Sequence, residues 1–171
     1  MSADKKGTTK PRKAERGELS TDLYDQPGHL IRRAQQISLS MYQAVIGTEV
    51  TPIQYAALRI LQDHPDIDQV TLAKYCALDT STAATIAVKL EERGLVERTV
   101  VAENRRARAL RLTPAGETLL EELVPSVHEL RRRILEPLTE EEQQLFLALL
   151  TKFVHLNNEQ SRAPLRRDEV A

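Results

Sequence analysis

The segment between residues 68 and 116 constrains the fold of this chain more than any other. Apolar residues recur at helical spacing in two short stretches, residues 70–76 and 81–93, which a turn at 77–79 separates. An arginine-rich connection between two apolar runs follows, and then a new helix start. A helix-turn-helix followed by a hairpin and a further helix is typical of a winged helix, which is a DNA-binding module.

The second helix of the pair is the predicted recognition helix. Asp79 or Thr80 can cap its start, and Gly94 can end it in the left-handed conformation. Ile86 and Leu90 point towards the core. Short hydroxyl side chains in its first turns allow close approach to the major groove, and longer basic side chains can reach the DNA backbone. The candidate DNA-binding residues of this helix are Thr80, Ser81, Thr82, Thr85, Lys89 and Arg93.

Two apolar runs with β-branched residues, at 95–100 and 109–112, predict a β-hairpin. A polar connection at 103–108 separates them and would form the tip of the hairpin. The arginines of this connection are Arg105, Arg106 and Arg108. A guanidinium at the tip could enter the narrow minor groove or pair with phosphates. Thr113 and Pro114 then start a helix, with threonine as the cap and proline in the first turn.

These motifs resemble those of the MarR family of bacterial transcription regulators. The family's wing carries Asp, any residue and Arg, then a hydrophobic strand that ends Leu-Thr-x-x-Gly; here residues 104–106 read Asn-Arg-Arg and residues 110–116 read Leu-Arg-Leu-Thr-Pro-Ala-Gly. In the family the aspartate helps to hold the wing arginine by an ion pair, so Asn104 leaves Arg106 with a neutral hydrogen bond. The resemblance covers roughly residues 26–158 and implies a winged-helix homodimer that responds to small molecules.

The rest of the chain is predicted to be helical. The predicted helices outside the DNA module span residues 27–46, 52–62, 114–135 and 140–158. Threonine caps mark three of their starts: Thr51 in a capping box with Gln54, Thr113, and Thr139 with Glu142. Apolar stripes on the first helix and the last two favour dimerisation, because a single helix pair cannot bury that much surface against a thin DNA-binding lobe. An intramolecular bundle is the alternative. The fold class is therefore predicted as mainly α with a small β-hairpin wing, a winged helix-turn-helix whose N- and C-terminal helices form a homodimer interface.

The domain organisation follows from the same pattern. Residues 1–22 are predicted to be a disordered basic tail, and residues 161–171 a flexible polar tail. The winged-helix domain would span residues 23–160, with a DNA-binding lobe at about 52–112 and dimerisation helices at about 26–46 and 114–159. A two-fold symmetric dimer would match double-stranded DNA carrying an inverted-repeat operator.

Composition agrees with a small regulator in the cytoplasm. The formal net charge is only -1, but carboxylates concentrate in residues 117–122 and 136–142, away from the predicted wing. No apolar run is long enough to cross a membrane, the N-terminus has no apolar signal core, and the one cysteine excludes an internal disulfide framework. We expect a cytoplasmic protein without a cofactor.

The effector site is the least determined part of the function. The resemblance implies a ligand between the dimer helices and the winged lobe, where the candidate ligand-binding residues are His29, Arg32, Arg33, Gln36, Ser40, Tyr55 and Arg59. An arginine at the edge of an apolar cleft suits a carboxylate, because its planar fork binds both oxygens. Residues 27–33 also resemble family members that control the degradation of aromatic acids. The expected effector is an aromatic carboxylate or its coenzyme A thioester, and it would release a repressor from its operator. The phosphates of a thioester would favour the further arginines Arg131, Arg132 and Arg133.

Other functions stay open as alternatives. Cys76 could make the chain a redox-responsive regulator, although a small buried hydrophobe is the simpler interpretation. A regulator without a ligand, or a winged helix used for protein contacts, would keep the fold. The four histidines lie far apart, so no metal site is expected. No phosphate loop, nucleophile elbow or paired-histidine motif indicates an enzyme.

Overall fold

The computed structural model describes residues 22–101 and 104–166. Its α-helices are α1 (Pro27–Val45), α2 (Pro52–Asp63), α3 (Gln69–Tyr75), α4 (Thr80–Glu92), α5 (Pro114–Leu135) and α6 (Glu140–Leu156). Its strands are β1 (Ile67–Asp68), β2 (Val96–Val101) and β3 (Asn104–Leu112). Short 3-10 helices span Leu23–Asp25 and Asn158–Gln160. The chain divides into two compact units, Met1–Ser38 and Leu39–Ala171. In the described residues, no helix is both long and apolar enough to cross a bilayer.

The described part of the first unit is helical. Asp22 caps the first 3-10 helix, because its carboxylate accepts a hydrogen bond from the Tyr24 backbone at 2.9 Å. The rings of Tyr24 and His29 pack edge to face, with their centroids 5.6 Å apart. Leu30 and Ile37, on the predicted apolar stripe of α1, are each about half exposed in the single chain. This stripe therefore remains available to a second protein surface.

Side-chain caps define the starts of the helices in the second unit. Thr51 and Gln54 form the predicted capping box of α2, with N···O distances of 3.3 and 3.0 Å. Asp68 caps α3, and Asp79 caps α4 through the backbone of Thr82 at 2.8 Å. The sequence offers Asp79 or Thr80 as the cap of α4, and in the structure the cap is Asp79. Each cap satisfies N–H groups that would otherwise lack partners at a helix start.

The core of the second unit lies where α2, α3 and α4 meet the sheet. The largest fully buried side chains are those of Leu58, Leu61, Leu72, Leu90 and Leu110. Ile86 and Leu90 point into this core, as the helical pattern predicts. Ala77, in the predicted turn between α3 and α4, has a positive φ of 52°.

The three strands form an antiparallel sheet in the order β1-β3-β2. β2 pairs with β3 from Val96 opposite Leu112 to Thr99 opposite Ala109, which confirms the predicted hairpin. The register shifts between Val100 and Val101. β1 pairs Ile67 with Leu110, a contact that the sequence did not predict.

The hairpin connection is shorter than predicted. β3 begins at Asn104, so the expectation that residues 103–108 form a connecting tip is wrong. Strand pairing uses backbone groups, which a polar, arginine-rich stretch also supplies. The arginines concerned, Arg105, Arg106 and Arg108, lie within β3, and the positions of their side chains lie outside what the structure describes.

The end of α4 and the start of α5 share one junction. Gly94 has a φ of 68°, and the Gly94 and Leu95 amides donate to the Glu91 and Leu90 carbonyls, a Schellman cap. The Leu95 carbonyl then accepts from the Thr113 amide at 3.1 Å. Thr113 Oγ1 donates to the Gly94 carbonyl at 2.6 Å and accepts from the Gly116 amide at 3.2 Å. These hydrogen bonds are the physical reason for the Leu-Thr-x-x-Gly pattern.

The last two helices leave an apolar surface in the single chain. α6 has no buried residue, and Leu145, Leu149 and Phe153 are each about half exposed. After α6, residues 161–166 are hydrogen-bonded although they were predicted as the start of a flexible tail. Asn158 bonds both backbone groups of Leu165, and the Arg166 amide donates to the Lys74 carbonyl at 3.2 Å.

Gly116→Ala is expected to destabilise the protein by about 1 to 3 kcal/mol. A Cβ atom at this position would collide with the Leu95 carbonyl oxygen, which is backbone and cannot rotate away. Thermal and denaturant unfolding would measure the loss. The matched control is Gly28→Ala, because no atom lies within 4 Å of a Cβ there and the residue is helical. Equal stability of the two variants would contradict the proposed close approach at Gly116.

Candidate DNA interface and effector cleft

One face of α4 is polar and open to solvent. Ser81, Thr85 and Lys89 follow one another at intervals of four residues and are all exposed, whereas Ala83 and Ala87 are buried. Thr80, also exposed, begins the helix. A four-residue interval places side chains in one row along a helix. The face combines short hydroxyls near the N-terminus with a flexible cation two turns later.

The hydroxyls of this face have different roles. Thr82 Oγ1 donates to the Asp79 carboxylate at 2.7 Å, so this side chain supports the cap. Thr85 Oγ1 donates to the Ser81 carbonyl at 3.1 Å and keeps its acceptor lone pairs. Within the described residues, Thr80 and Ser81 have hydroxyls without an internal partner. Thr80, Ser81 and Thr85 are therefore the hydroxyls that can meet a ligand.

The cap also sets the charge at the start of α4. Hydrogen bonds from the side chain and the backbone of Thr82 lower the pKa of the Asp79 carboxyl. The carboxylate is therefore ionised at neutral pH and lies at the positive end of the helix dipole. This arrangement orders the first turn, from which the exposed hydroxyls project.

The two basic residues predicted on α4 lie in different surroundings. Lys89 is exposed and has no bonded partner among the described residues. Arg93, at the far end of α4, instead donates from its guanidinium to the Glu49 carbonyl at 2.6 Å. Both side chains are exposed, but Lys89 has no bonded partner among the described residues, whereas Arg93 is hydrogen-bonded to a backbone carbonyl.

Two ion pairs hold the base of the hairpin. Arg98 on β2 donates to Glu91 on α4 at 2.6 Å, and the Arg98 side chain is only 18% exposed. Arg111 on β3 makes a bidentate pair with Asp66, at 2.9 and 2.5 Å. This hydrogen bonding and the charge of Asp66 raise the pKa of Arg111. The wing is therefore tied both to α4 and to the segment before β1.

A cleft of about 310 Å³ lies between α2 and α5. Its lining residues are Tyr55, Arg59, Gln62, Leu120, Glu121, Val124, Val127 and His128. The predicted ligand residues Tyr55 and Arg59 thus lie on the same wall of this cleft. Arg59 donates to Gln62 and pairs with Asp63 at 3.5 Å, and it remains exposed. The opposite wall is on α5, and its individual residues were not among the predicted ligand residues.

The other predicted ligand residues lie on α1. His29, Arg32, Arg33 and Gln36 belong to the unit that ends at Ser38, and Arg32 donates to Gln36 at 2.8 Å. Ser40 is an exposed residue of the same helix. His29, Arg32, Arg33 and Gln36 thus lie in the first unit, whereas Ser40, Tyr55 and Arg59 lie in the second.

A second cleft of about 550 Å³ lies between α5 and α6, where the predicted arginine triplet begins. Arg131 and Arg132 line it, together with His128, Leu135, Glu136 and Gln143. Arg132 pairs with Glu129 and Glu136, and Arg133 pairs with Glu129, all at 2.7 to 2.9 Å. Bonds from Arg132 and Arg133 lower the pKa of Glu129 to about 2. Two of the three arginines are therefore already neutralised.

Cys76 lies at the end of α3 and is partly buried. Burial raises the pKa of its thiol to about 11, so the thiolate is scarce at neutral pH. The thiolate is the reactive form of cysteine. These surroundings favour the packing interpretation of Cys76 over a redox sensor.

Comparison with known proteins places this chain in a family. The MarR family model matches residues 48–107, which include α2 to α4 and most of the hairpin. The PcaV transcriptional regulator of Streptomyces coelicolor, solved with its natural ligand, is 32% identical; the match covers 81% of this chain and 98% of that one, with a TM-score of 0.75. This chain belongs to the MarR family of transcriptional regulators.

Two further solved MarR-like regulators show what related folds bind. BpsR of Bordetella bronchiseptica, whose DNA binding is regulated by 6-hydroxynicotinic acid, is 29% identical, with 80% of this chain and 97% of that chain covered and a TM-score of 0.73. The transcriptional repressor CouR, solved on a 23-mer DNA duplex, is 25% identical, with 81% and 99% covered and a TM-score of 0.74. The predicted winged-helix fold and MarR membership are confirmed.

The cap of α4 should make stability depend on pH below neutrality. The native-state pKa of Asp79 is lowered, so its contribution is present above the unfolded pKa of about 3.9 and is lost as pH falls through the native value. Asp79→Asn keeps an N-cap that does not titrate. We expect the stability difference between the two proteins to shift against the wild type between pH 5 and 2. Denaturant unfolding measures this difference; a constant difference would contradict the role of the Asp79 charge.

Proposed function

We propose that this MarR-family chain is a dimeric repressor that leaves its operator when it binds an aromatic carboxylate. The observation that carries the DNA-binding part is the exposed polar row on α4, held by the Asp79 cap and followed by a wing whose strand β3 carries Arg105, Arg106 and Arg108. CouR, of similar fold, was solved on a DNA duplex. The proposed DNA contacts come from Thr80, Ser81, Thr85 and Lys89 on α4 and from Arg105, Arg106 and Arg108 on the wing.

Each part of the row suits a different part of DNA. Hydroxyls close to the helix axis can approach base edges and phosphates in the major groove, and Lys89 can reach a phosphate farther along the backbone. The wing arginines would contact the backbone or the adjacent minor groove. Because the overall charge is near zero, this local charge must supply the electrostatic part of the affinity.

The dimer is proposed from the apolar surface of α6 and the stripe of α1. Half-exposed Leu145, Leu149 and Phe153 would be costly on a monomer in water, because each large side chain contributes about 1.5 to 3 kcal/mol when fully buried. Burial against a second copy removes this cost. Two-fold symmetry then presents two α4 helices to major grooves about one turn of DNA apart, which suits an inverted-repeat operator.

The α2–α5 cleft is the proposed effector site. Its volume lies at the lower end of the roughly 300–1,000 Å³ range of small-molecule sites, which suits a single substituted ring. Tyr55 and Val124 offer apolar contact, and Arg59 at the rim offers a fork for a carboxylate. BpsR responds to 6-hydroxynicotinic acid, an aromatic carboxylate. The α1 residues predicted from the sequence remain part of the proposal.

The charges favour the free acid over its coenzyme A thioester. A thioester would bring several phosphate charges, which require unpaired cations. Arg132 and Arg133 are held by Glu129, and Glu136 also pairs with Arg132. Arg131 is the member of the triplet without a bonded partner among the described residues. A free acid requires only one guanidinium, and in the described part of the chain Arg59 makes a single, longer ion pair, with Asp63 at 3.5 Å.

Lys89→Ala and Arg106→Ala should weaken binding to DNA from upstream of the protein's own gene. Each should also reduce the slope of log affinity against log salt by about 0.9, the value for one lost phosphate contact. Fluorescence anisotropy at several salt concentrations measures both quantities. The matched control is Arg133→Ala, which removes an equal charge from α5 and should change neither. Unchanged affinity and slope in the first two variants would remove α4 and the wing from the DNA interface.

Arg59→Ala should preserve operator binding and abolish the response to effector. In the wild type, an effective aromatic monocarboxylate should weaken DNA binding some five- to 150-fold, which is the usual range of allosteric coupling. A panel that includes 6-hydroxynicotinic acid, substituted benzoates and their coenzyme A thioesters identifies the class. Arg33→Ala on α1 should behave like Arg59→Ala, and Arg133→Ala serves as the control. An undiminished response in Arg59→Ala would exclude the α2–α5 cleft.

A further inference from the structure

The loop between α1 and α2 is held from two sides. On one side, the Tyr42 hydroxyl near the end of α1 donates to the Val50 carbonyl at 2.8 Å. Both residues are buried, with exposed fractions of 6% for Tyr42 and 3% for Val50. Burial and the neighbouring Tyr55 raise the pKa of Tyr42 to about 12, so the hydroxyl keeps its proton at physiological pH. The loop is therefore fixed to α1 by a bond that persists through the working pH range.

On the other side, the loop is held by α4. The Arg93 guanidinium donates to the Glu49 carbonyl at 2.6 Å, across 44 positions of sequence. Arg93 is the C-cap residue of α4, so this bond lies at the end opposite the exposed hydroxyls. The next carbonyl along the loop, that of Val50, is the one that Tyr42 holds. Tyr42 and Arg93 thus hold consecutive peptide groups of one loop.

The surroundings of Arg93 suit an internal contact better than a phosphate. Glu92 precedes it in sequence, and Glu92 and Glu49 line the same groove as its side chain. Carboxylates close to a guanidinium oppose the approach of a further anion. Arg93 also lies about 18 Å along α4 from Ser81, at 1.5 Å per residue. Lys89 lines the same groove, but it is exposed and has no bonded partner among the described residues.

We propose that Arg93 is a positioning residue, which sets the orientation of α4 by anchoring its C-terminal end to the Glu49 carbonyl of the α1–α2 loop. This inference rests on the proposed function, in which α4 enters the major groove. Tyr42 holds the next peptide group of the loop, and the pKa of Tyr42 is raised in part by Tyr55, which lies in the wall of the α2–α5 cleft. A shift of the loop thereby reaches the recognition helix without any change in the DNA-contacting side chains.

Salt dependence separates positioning from phosphate contact. Arg93→Ala should lower affinity for DNA from upstream of the protein's own gene roughly fivefold or more, while the slope of log affinity against log salt stays as in the wild type. Arg93→Lys should recover part of the affinity, because an ammonium can still donate to the carbonyl. The matched control is Lys89→Ala, four residues earlier on the same helix, whose slope should fall by about 0.9.

A double-mutant cycle tests whether Arg93 and Tyr42 act through the same loop. Tyr42→Phe should weaken DNA binding, and the combined variant should bind no more weakly than the weaker single variant. Circular dichroism and unfolding of each variant establish that α4 is folded; if Arg93→Ala does not fold, Arg93→Lys and Tyr42→Phe provide the cycle. Unchanged affinity in Arg93→Ala, a slope reduced as in Lys89→Ala, or fully additive losses would overturn the proposal. Salt-insensitive wild-type binding would instead defeat the proposed function itself, and with it the role of Arg93.

Discussion

The carbonyl of Leu95 is the point on which the arrangement of the DNA-binding lobe depends. The Schellman cap of α4 ends at this residue, β2 begins one residue later, and the same carbonyl receives the amide of Thr113 before α5. Gly116 then packs directly on it, and no larger residue could approach so closely. The recognition helix, the wing and the first turn of the long helix α5 are therefore fixed to one peptide group. A displacement of the recognition helix, the wing or the start of α5 is therefore transmitted to the other two.

This junction and the α1–α2 loop form two mechanical connections to α4, one at Leu95 and one at Arg93. α5 carries one wall of the proposed effector cleft, and Tyr55 on α2 carries the other. A ligand between these helices would act beside two segments bonded to the end of α4, the loop that precedes α2 and the start of α5. The required effect is small, because about 1 to 3 kcal/mol of coupling changes DNA affinity some five- to 150-fold. Packed elements with few hydrogen-bonded links suit such a shift, since they move as units.

The sequence predicts the parts of this fold that have local causes. Threonine caps at 51, 113 and 139, the glycine end of α4 and the spacing of Ile86 and Leu90 all depend on neighbours within a few residues, and the structure contains each of them. The wing arginines were placed in a connecting tip because their side chains are polar, whereas strand pairing depends on the backbone. β1 has only two residues, too few to show a period.

The features that escaped prediction depend on distant contacts. The individual α5 residues of the cleft wall, such as Val124 and His128, lie beside the apolar stripe that the helical pattern identifies, and only packing against α2 shows which of them face the cleft. Arg93 carries no sequence signal for its partner, because that partner is a backbone carbonyl 44 residues away. The pairing of Arg132 and Arg133 with Glu129 is different, because it joins residues three and four positions apart on one helix and so has a local cause.

The most direct test of the account is amide hydrogen exchange of the protein with and without a duplex from upstream of its own gene. If α4 is the recognition helix, DNA should slow the exchange of backbone amides in the first turns of α4 and in β2 and β3. The amides of α6 should exchange at the same rate in both samples. Protection confined to α6, with α4 and the hairpin unchanged, would contradict the central claim that this winged helix reads DNA.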